Sequence, residues 1–136
     1  MKKVLFVVEL LMLIGLVACG GGQADSISSP DTIPADYAGK INPFGVETAS
    51  AGAEIFKANC AACHGDTGHG DGPAGAALVP TPRNLADLQT QVGDDYLFWR
   101  ISTGKEGTAM VSWKDILTEE QIWQVISFLR TLKIKP

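Results

Sequence analysis

The chain has 136 residues and a formal net charge of −4, which excludes several classes at once. That length supports one domain beyond the N-terminal segment. The acidic balance argues against a nucleic-acid partner, because phosphates demand basic surface. Setting aside residues 1–18 removes Lys2, Lys3 and Glu9 from 11 basic and 15 acidic residues; 9 and 14 remain, a net charge of −5.

Met1-Lys2-Lys3 gives a positive start, and Val4 to Ala18 is apolar except for Glu9. A membrane-spanning helix needs roughly 20 apolar residues, so this shorter stretch predicts an export signal over residues 1–18. Its end, "LVACG", resembles the lipobox of bacterial lipoproteins, which implies that Cys19 carries a lipid. An ordinary cleavage site with Cys19 as a spare thiol is the competing reading. Lipidation would anchor an exported protein to a membrane, facing the periplasm or another extracytoplasmic space. Residues 19–48 are rich in Gly, Ser, Pro, Asp and Ala with no apolar period. They predict a lipid-anchored flexible tether that orders only near Asn42-Pro43-Phe44, with a root-mean-square reach of about 30 Å.

The folded domain is expected over 49–136. "SAGAEIFKANCAACH" places Ala53, Phe56 and Cys60 at helical spacing, with Ser50 as the expected N-cap. The Gly- and Pro-rich run from Gly65 to Pro82 cannot continue that helix. A second helix is expected after Asp94, through Tyr96 to Ile101. The strongest helical signal is the last: Thr118 and Gln121 match a capping box, and Ile122, Val125, Ile126, Leu129 and Leu132 form one apolar stripe. Alternating β-branched runs are missing from the sequence. The fold class is all-α.

Cys60-Ala61-Ala62-Cys63-His64 has the C-x-x-C-H spacing of c-type haem attachment. Thiols three residues apart lie near one face of a helical turn, which suits thioether bonds to two vinyl groups. The next residue then brings an imidazole beneath the iron. Three other readings compete. A redox-active C-x-x-C usually follows a strand and opens a helix, whereas this pair closes one. Structural zinc would need four ligands, and Cys60, Cys63, His64 and His69 are crowded within ten residues. A plain disulfide leaves His64 unexplained.

From about Ser50 to Leu132 the chain resembles a class I c-type cytochrome. The resemblance rests on "GAEIFKANCAACHG", "GHGDGPAG", "PRNL", "YLFWRISTGKEGTAM" and "LTEEQIWQVISFLRTL", in family order. It implies three main helices around one covalently bound haem c, with the first and last helices crossing. Gly52 and Phe56 would then meet the Ile126–Leu129 face. It also implies that Met110 is the second axial ligand of the iron. Met110 is the only methionine beyond the expected signal, and Gly104 and Gly107 precede it in its loop. The family often has proline after this methionine, where this chain has Val111. His69 is the rival ligand, though only five residues from His64; an exposed loop histidine is the plainer reading. Pro80 or Pro82 is expected to offer a carbonyl to the His64 Nδ1–H. Arg83, Arg100 and Trp113 are candidates for the haem propionates, and Ile101, Trp99 and Leu85 for its apolar cover.

A six-coordinate His/Met iron leaves no position for substrate, and thioether ligation favours Fe(II). The expected role is therefore single-electron transfer between a redox donor and acceptor, respiratory or photosynthetic, without enzymatic catalysis. One alternative is a fixed subunit of a membrane oxidoreductase complex, similar to the monohaem subunit of alternative complex III. A haem enzyme or gas sensor with Met110 detached is the other.

Overall fold

The computed structural model describes residues 31–134. The expected signal, Cys19 and residues 19–30 of the expected tether lie outside the described residues. The described part is helical without strands: α1 (Ala49–Asn59), α2 (Ala61–His64), α3 (Leu85–Leu88), α4 (Asp94–Thr103) and α5 (Glu119–Leu129). No described helix is long and apolar enough to cross a membrane.

Three of these helices carry the frame. α5 starts as its sequence dictates: Gln121 N–H donates to Thr118 Oγ1 at 3.2 Å, and Thr118 N–H donates to Gln121 Oε1 at 2.9 Å. Glu119 and Glu120 in its first turn complement the helix dipole. Ile122, Val125, Ile126 and Leu129 are buried, while Leu132 lies past the helix end and is half-buried against the core. α4 begins with Asp94 and Asp95 and stops at Gly104, which has φ 71°. α1 is capped at Thr48, without a side-chain cap bond, not at Ser50. Ser50 is exposed within the first turn, so the helix forms for its burial partner more than for its cap.

That partner is α5. Gly52 and Phe56, one turn apart on α1, are both buried. A Cβ at Gly52 would lie 1.8 Å from the Gln124 carbonyl oxygen, and the Phe56 and Phe128 ring centroids are 5.1 Å apart. The crossing is thus seated on the Gln124–Phe128 row of α5. Phe128 lies within the Ile126–Leu129 stretch implied by the resemblance, and Gln124 stands one turn before it. α4 joins the pair through Phe98, which stacks on Trp123 at 4.2 Å. Arg130, just past α5, fixes the start of α4: Nε and Nη2 donate to Asp94 Oδ1 at 2.8 and 2.6 Å, and Nη2 also donates to the Val92 carbonyl at 3.0 Å.

The stretch 31–48, expected to be tether as far as Asn42, instead packs across α4 and α5. Ile33, Tyr37 and Phe44 rest on the core. Gly39 N–H donates to Asp95 at 2.9 Å, and Asn42 N–H donates to Asp94 at 3.2 Å. The Asn42 side chain donates to the Trp123 carbonyl at 3.2 Å and to Ser127 Oγ at 2.8 Å. Three apolar side chains spaced irregularly through a Pro-rich strap give no period. The strap therefore carries no helix or strand signal, although it is held at several points.

Candidate haem site

A cavity of about 440 Å³ opens between α1, α2, α4, α5 and two long loops, within the size range of small-molecule sites. Its floor is the end of α1 with α2. Cys60 follows α1 directly, where φ −118° breaks the helix; Cys63 and His64 then sit on the single turn of α2. All three side chains line the cavity. The glycine-rich loop after α2 lies directly against that turn. A Cβ at Gly72 would come within 2.5 Å of the Ala62 carbonyl, and one at Gly75 within 2.4 Å of the Cys63 carbonyl. Close backbone approach, not ligation, is what these glycines serve.

The imidazole is oriented from its back. His64 Nδ1 is 3.2 Å from the Arg83 carbonyl, one or more residues beyond the prolines expected to do this. The reason is local: the Pro82 carbonyl abuts Gly70, where a Cβ would approach it to 2.4 Å. As the donor in that bond, Nδ1–H leaves Nε2 with its lone pair free for a metal. Burial lowers the His64 pKa, with the Arg83 bond opposing it, so the ring is neutral and ready to ligate. Burial, reinforced by Cys63, pushes the Cys60 thiol up to about 12. A thiol so reluctant to ionise is a poor redox nucleophile. Both cysteines are free, and no group of three or more His, Cys, Asp and Glu is placed to hold a metal ion among the described residues.

His69 stands apart. Its Nδ1 pairs with Thr67 Oγ1 at 2.7 Å, it is half-buried, not exposed, and it does not line the cavity. Met110 does line it, on the loop between α4 and α5. That loop is tightly bonded: Lys105 N–H donates to the Met110 carbonyl at 3.0 Å, Met110 N–H to Thr108 Oγ1 at 3.1 Å, and Trp113 N–H to the Ile101 carbonyl at 3.1 Å. Gly104 lets the loop close on itself, since a Cβ there would stand 2.5 Å from the Met110 carbonyl.

The remaining wall is apolar with a cationic edge. Leu85, Leu88, Leu97, Ile101, Val125 and Leu129 supply the apolar surface. Trp99 does not face the cavity; its ring instead carries the Arg100 guanidinium at 3.7 Å. Tyr96 and Lys105 line the cavity without having been singled out in the sequence. Tyr96 lies in the helix expected after Asp94 and Lys105 in the loop that leads to Met110, and no local pattern marks either as a cavity residue. Arg83, Arg100, Lys105 and Trp113 all reach the wall, and no Asp or Glu does. Arg100 Nε is buried without a hydrogen-bond partner, a donor awaiting an acceptor. A flat apolar ligand with anionic groups and a metal at its centre fits this donor set; haem has those properties.

Residues 47–129 match the family model described as cytochrome C oxidase, cbb3-type, subunit III. The chain belongs to this family of c-type cytochrome domains. Its cofactor is accordingly one covalently bound haem c, in keeping with the Cys60/Cys63 spacing. Among curated proteins it is similar to the Cbb3-type cytochrome c oxidase subunit FixP of Azorhizobium caulinodans, 32% identical over 102 residues. The match covers 72% of this chain and 33% of FixP. Two solved structures share the fold. A chain of the Kuenenia stuttgartiensis reducing HAO-like protein complex has a TM-score of 0.55 at 22% identity, covering 79% of this chain and 48% of that one. Cytochrome cL from Hyphomicrobium denitrificans has a TM-score of 0.52 at 24% identity, covering 68% and 53%. The chain therefore spans a third to about half of these relatives. The all-α class and class I cytochrome fold expected from the sequence hold for this cytochrome.

Proposed function

We propose that this cytochrome is a membrane-tethered, monohaem electron carrier working outside the cytoplasm. Cys60 and Cys63 would hold the haem through thioether bonds, His64 and Met110 would ligate its iron, and Arg83, Arg100 and Trp113 would meet its propionates. Cys19 bears the lipid. Haem supplies a one-electron Fe(III)/Fe(II) couple. The protein's part is to keep the His64 ring neutral by burial and to orient it through the Arg83 carbonyl, to present a thioether from the Met110 loop, and to exclude water with apolar walls. The observation that carries the reading is the convergence of Cys60, Cys63, His64 and Met110 on one acid-free cavity.

The test is haem retention. The purified protein should keep its haem through acid–acetone extraction, and the Cys60→Ala, Cys63→Ala double variant should lose it. Free extraction from the unmutated protein would refute covalent attachment. A second reading, a fixed subunit of a membrane oxidoreductase such as alternative complex III or an oxidase, draws support from the likeness to FixP, itself an oxidase subunit.

A further inference from the structure

One ion cluster at the cavity wall is not used by the reading above. Asp31 Oδ2 accepts from Lys105 Nζ at 2.6 Å and from Arg100 Nη2. Both cations line the cavity, whereas Asp31 does not. The Arg100 side chain is 15% exposed and that of Asp31 43%, so the carboxylate closes the cluster from the outer side. Arg100 is held on other sides too. Its Nη1 donates to the Gly104 carbonyl at 3.2 Å, and its guanidinium lies over Trp99. With Nη1 and Nη2 engaged, the unpartnered donor is Nε, buried at the wall.

A guanidinium on a long flexible stem tends to swing toward water unless its donors are fixed. Asp31 supplies that restraint from a segment far away in sequence. The strap that carries it is pinned to α4 and α5 by Gly39 and Asn42. Charge matters as well as position. Cations near a haem favour the reduced iron and a carboxylate favours the oxidised one; Arg100 is the shielded member of the cluster, whereas the exposed Asp31 acts through more solvent screening. We propose that Asp31 is a positioning residue of the electron-transfer centre: it fixes Arg100 and Lys105 at the cavity wall and, by offsetting their charge, lowers the reduction potential. The strap over 31–44 is thereby part of the redox site and not a spacer. This rests on the haem reading of the cavity.

The experiment is a redox titration of the full-length, haem-loaded protein with Asp31→Asn, Asp31→Glu, and Asp31→Asn placed in an Arg100→Gln, Lys105→Gln background. Amide exchange at Gly39 and Asn42 is followed alongside. Asp31→Asn should raise the potential, by less at high salt, with strap protection intact, and Asp31→Glu should restore most of the original value. In the Gln background only the carboxylate's own charge is lost, so the shift there should differ in size from the wild-type shift by the contribution of the two released cations. An unchanged potential for Asp31→Asn, with the haem bands intact, would overturn the proposal. So would a full-sized shift in the Gln background, which would make Asp31 a remote charge only, or a shift accompanied by loss of strap protection. Wild-type protein without attached haem would defeat the cavity reading itself, and this proposal with it.

Discussion

Gly52→Ala sets two well-known effects against each other. In a helix interior Ala is favoured over Gly by about 1 kcal/mol, so on propensity alone the change stabilises α1. Against that, the added Cβ would stand 1.8 Å from the Gln124 carbonyl oxygen, 2.5 Å from its carbon and 3.1 Å from the Phe128 Cβ. Ordinary contact begins near 3.4 Å, so the helices must separate by more than 1 Å at their crossing. Neither side can yield by rotating a side chain, because the obstruction is backbone. Overpacking of this kind costs about 1–3 kcal/mol, and the rigid partner puts it at the upper end. The net effect is a loss of about 2 kcal/mol, or a fall in Tm of roughly 8–16 °C for a domain this size. The assay is denaturant unfolding of the haem-loaded protein, followed by far-UV circular dichroism. The midpoint should drop at unchanged slope, while Ser50→Ala, exposed on the same helix, should rise by a few tenths of a kcal/mol. A Gly52→Ala variant as stable as wild type or more so would refute the close crossing.

Three further outcomes are expected. Met110→Ala should remove the weak long-wavelength band of a thioether–ferric bond, lower the potential and allow carbon monoxide to bind the reduced protein, all read by visible spectroscopy; His69→Ala should change none of these, and the reverse pattern would make His69 the ligand. Thr118→Ala removes the cap of α5 and should cost about 1 kcal/mol in a denaturation midpoint. Asn42→Ala removes the two side-chain bonds to α5 and the acceptor of the Phe44 N–H, while Ser127 keeps Thr48; it should cost about 1–2 kcal/mol and raise protease sensitivity in residues 31–41.

The haem motif, the last helix and its capping box were legible because each is a local pattern. Spacing within five residues carries the first, and a 3.6-residue period with a reciprocal cap carries the others. What sequence could not supply were partnerships made at long range. The Arg83 carbonyl meets His64 across 19 residues, and which of three neighbouring carbonyls does so depends on how Pro82 packs against Gly70. The Asp31 cluster spans 69 and 74 residues, and its acidic member sits in a stretch whose composition reads as linker. Trp99 and Ile101 lie two apart on α4, so a helix must turn them to different faces; choosing which one meets the cavity required the position of α5. The Met110 loop stands between these cases. Its glycines marked it, but only the structure showed its main chain closing back on Lys105.

The packed strap also bears on the choice between a free carrier and a fixed subunit. The expected tether of about 30 residues would allow wide excursions beside a membrane. With residues 31–48 held on the domain, the chain from Cys19 to Asp31 spans 12 residues, and no conformation of it exceeds about 43 Å. Asp31 is bonded to Arg100 at the cavity wall. A lipid on Cys19 would therefore keep that wall within about 43 Å of the bilayer surface, close to a membrane-bound donor or acceptor and less suited to a distant soluble one. Cys19→Ala separates the two readings when cells are fractionated. A carrier held by its lipid alone should move to the soluble fraction with its spectrum intact. A subunit held by protein contacts should stay with the membranes and copurify with a large complex after detergent extraction. Release of the variant, together with a wild-type protein that leaves the membrane in detergent as a lone small species, would exclude the fixed subunit. Retention of the variant in such a complex would exclude the free carrier.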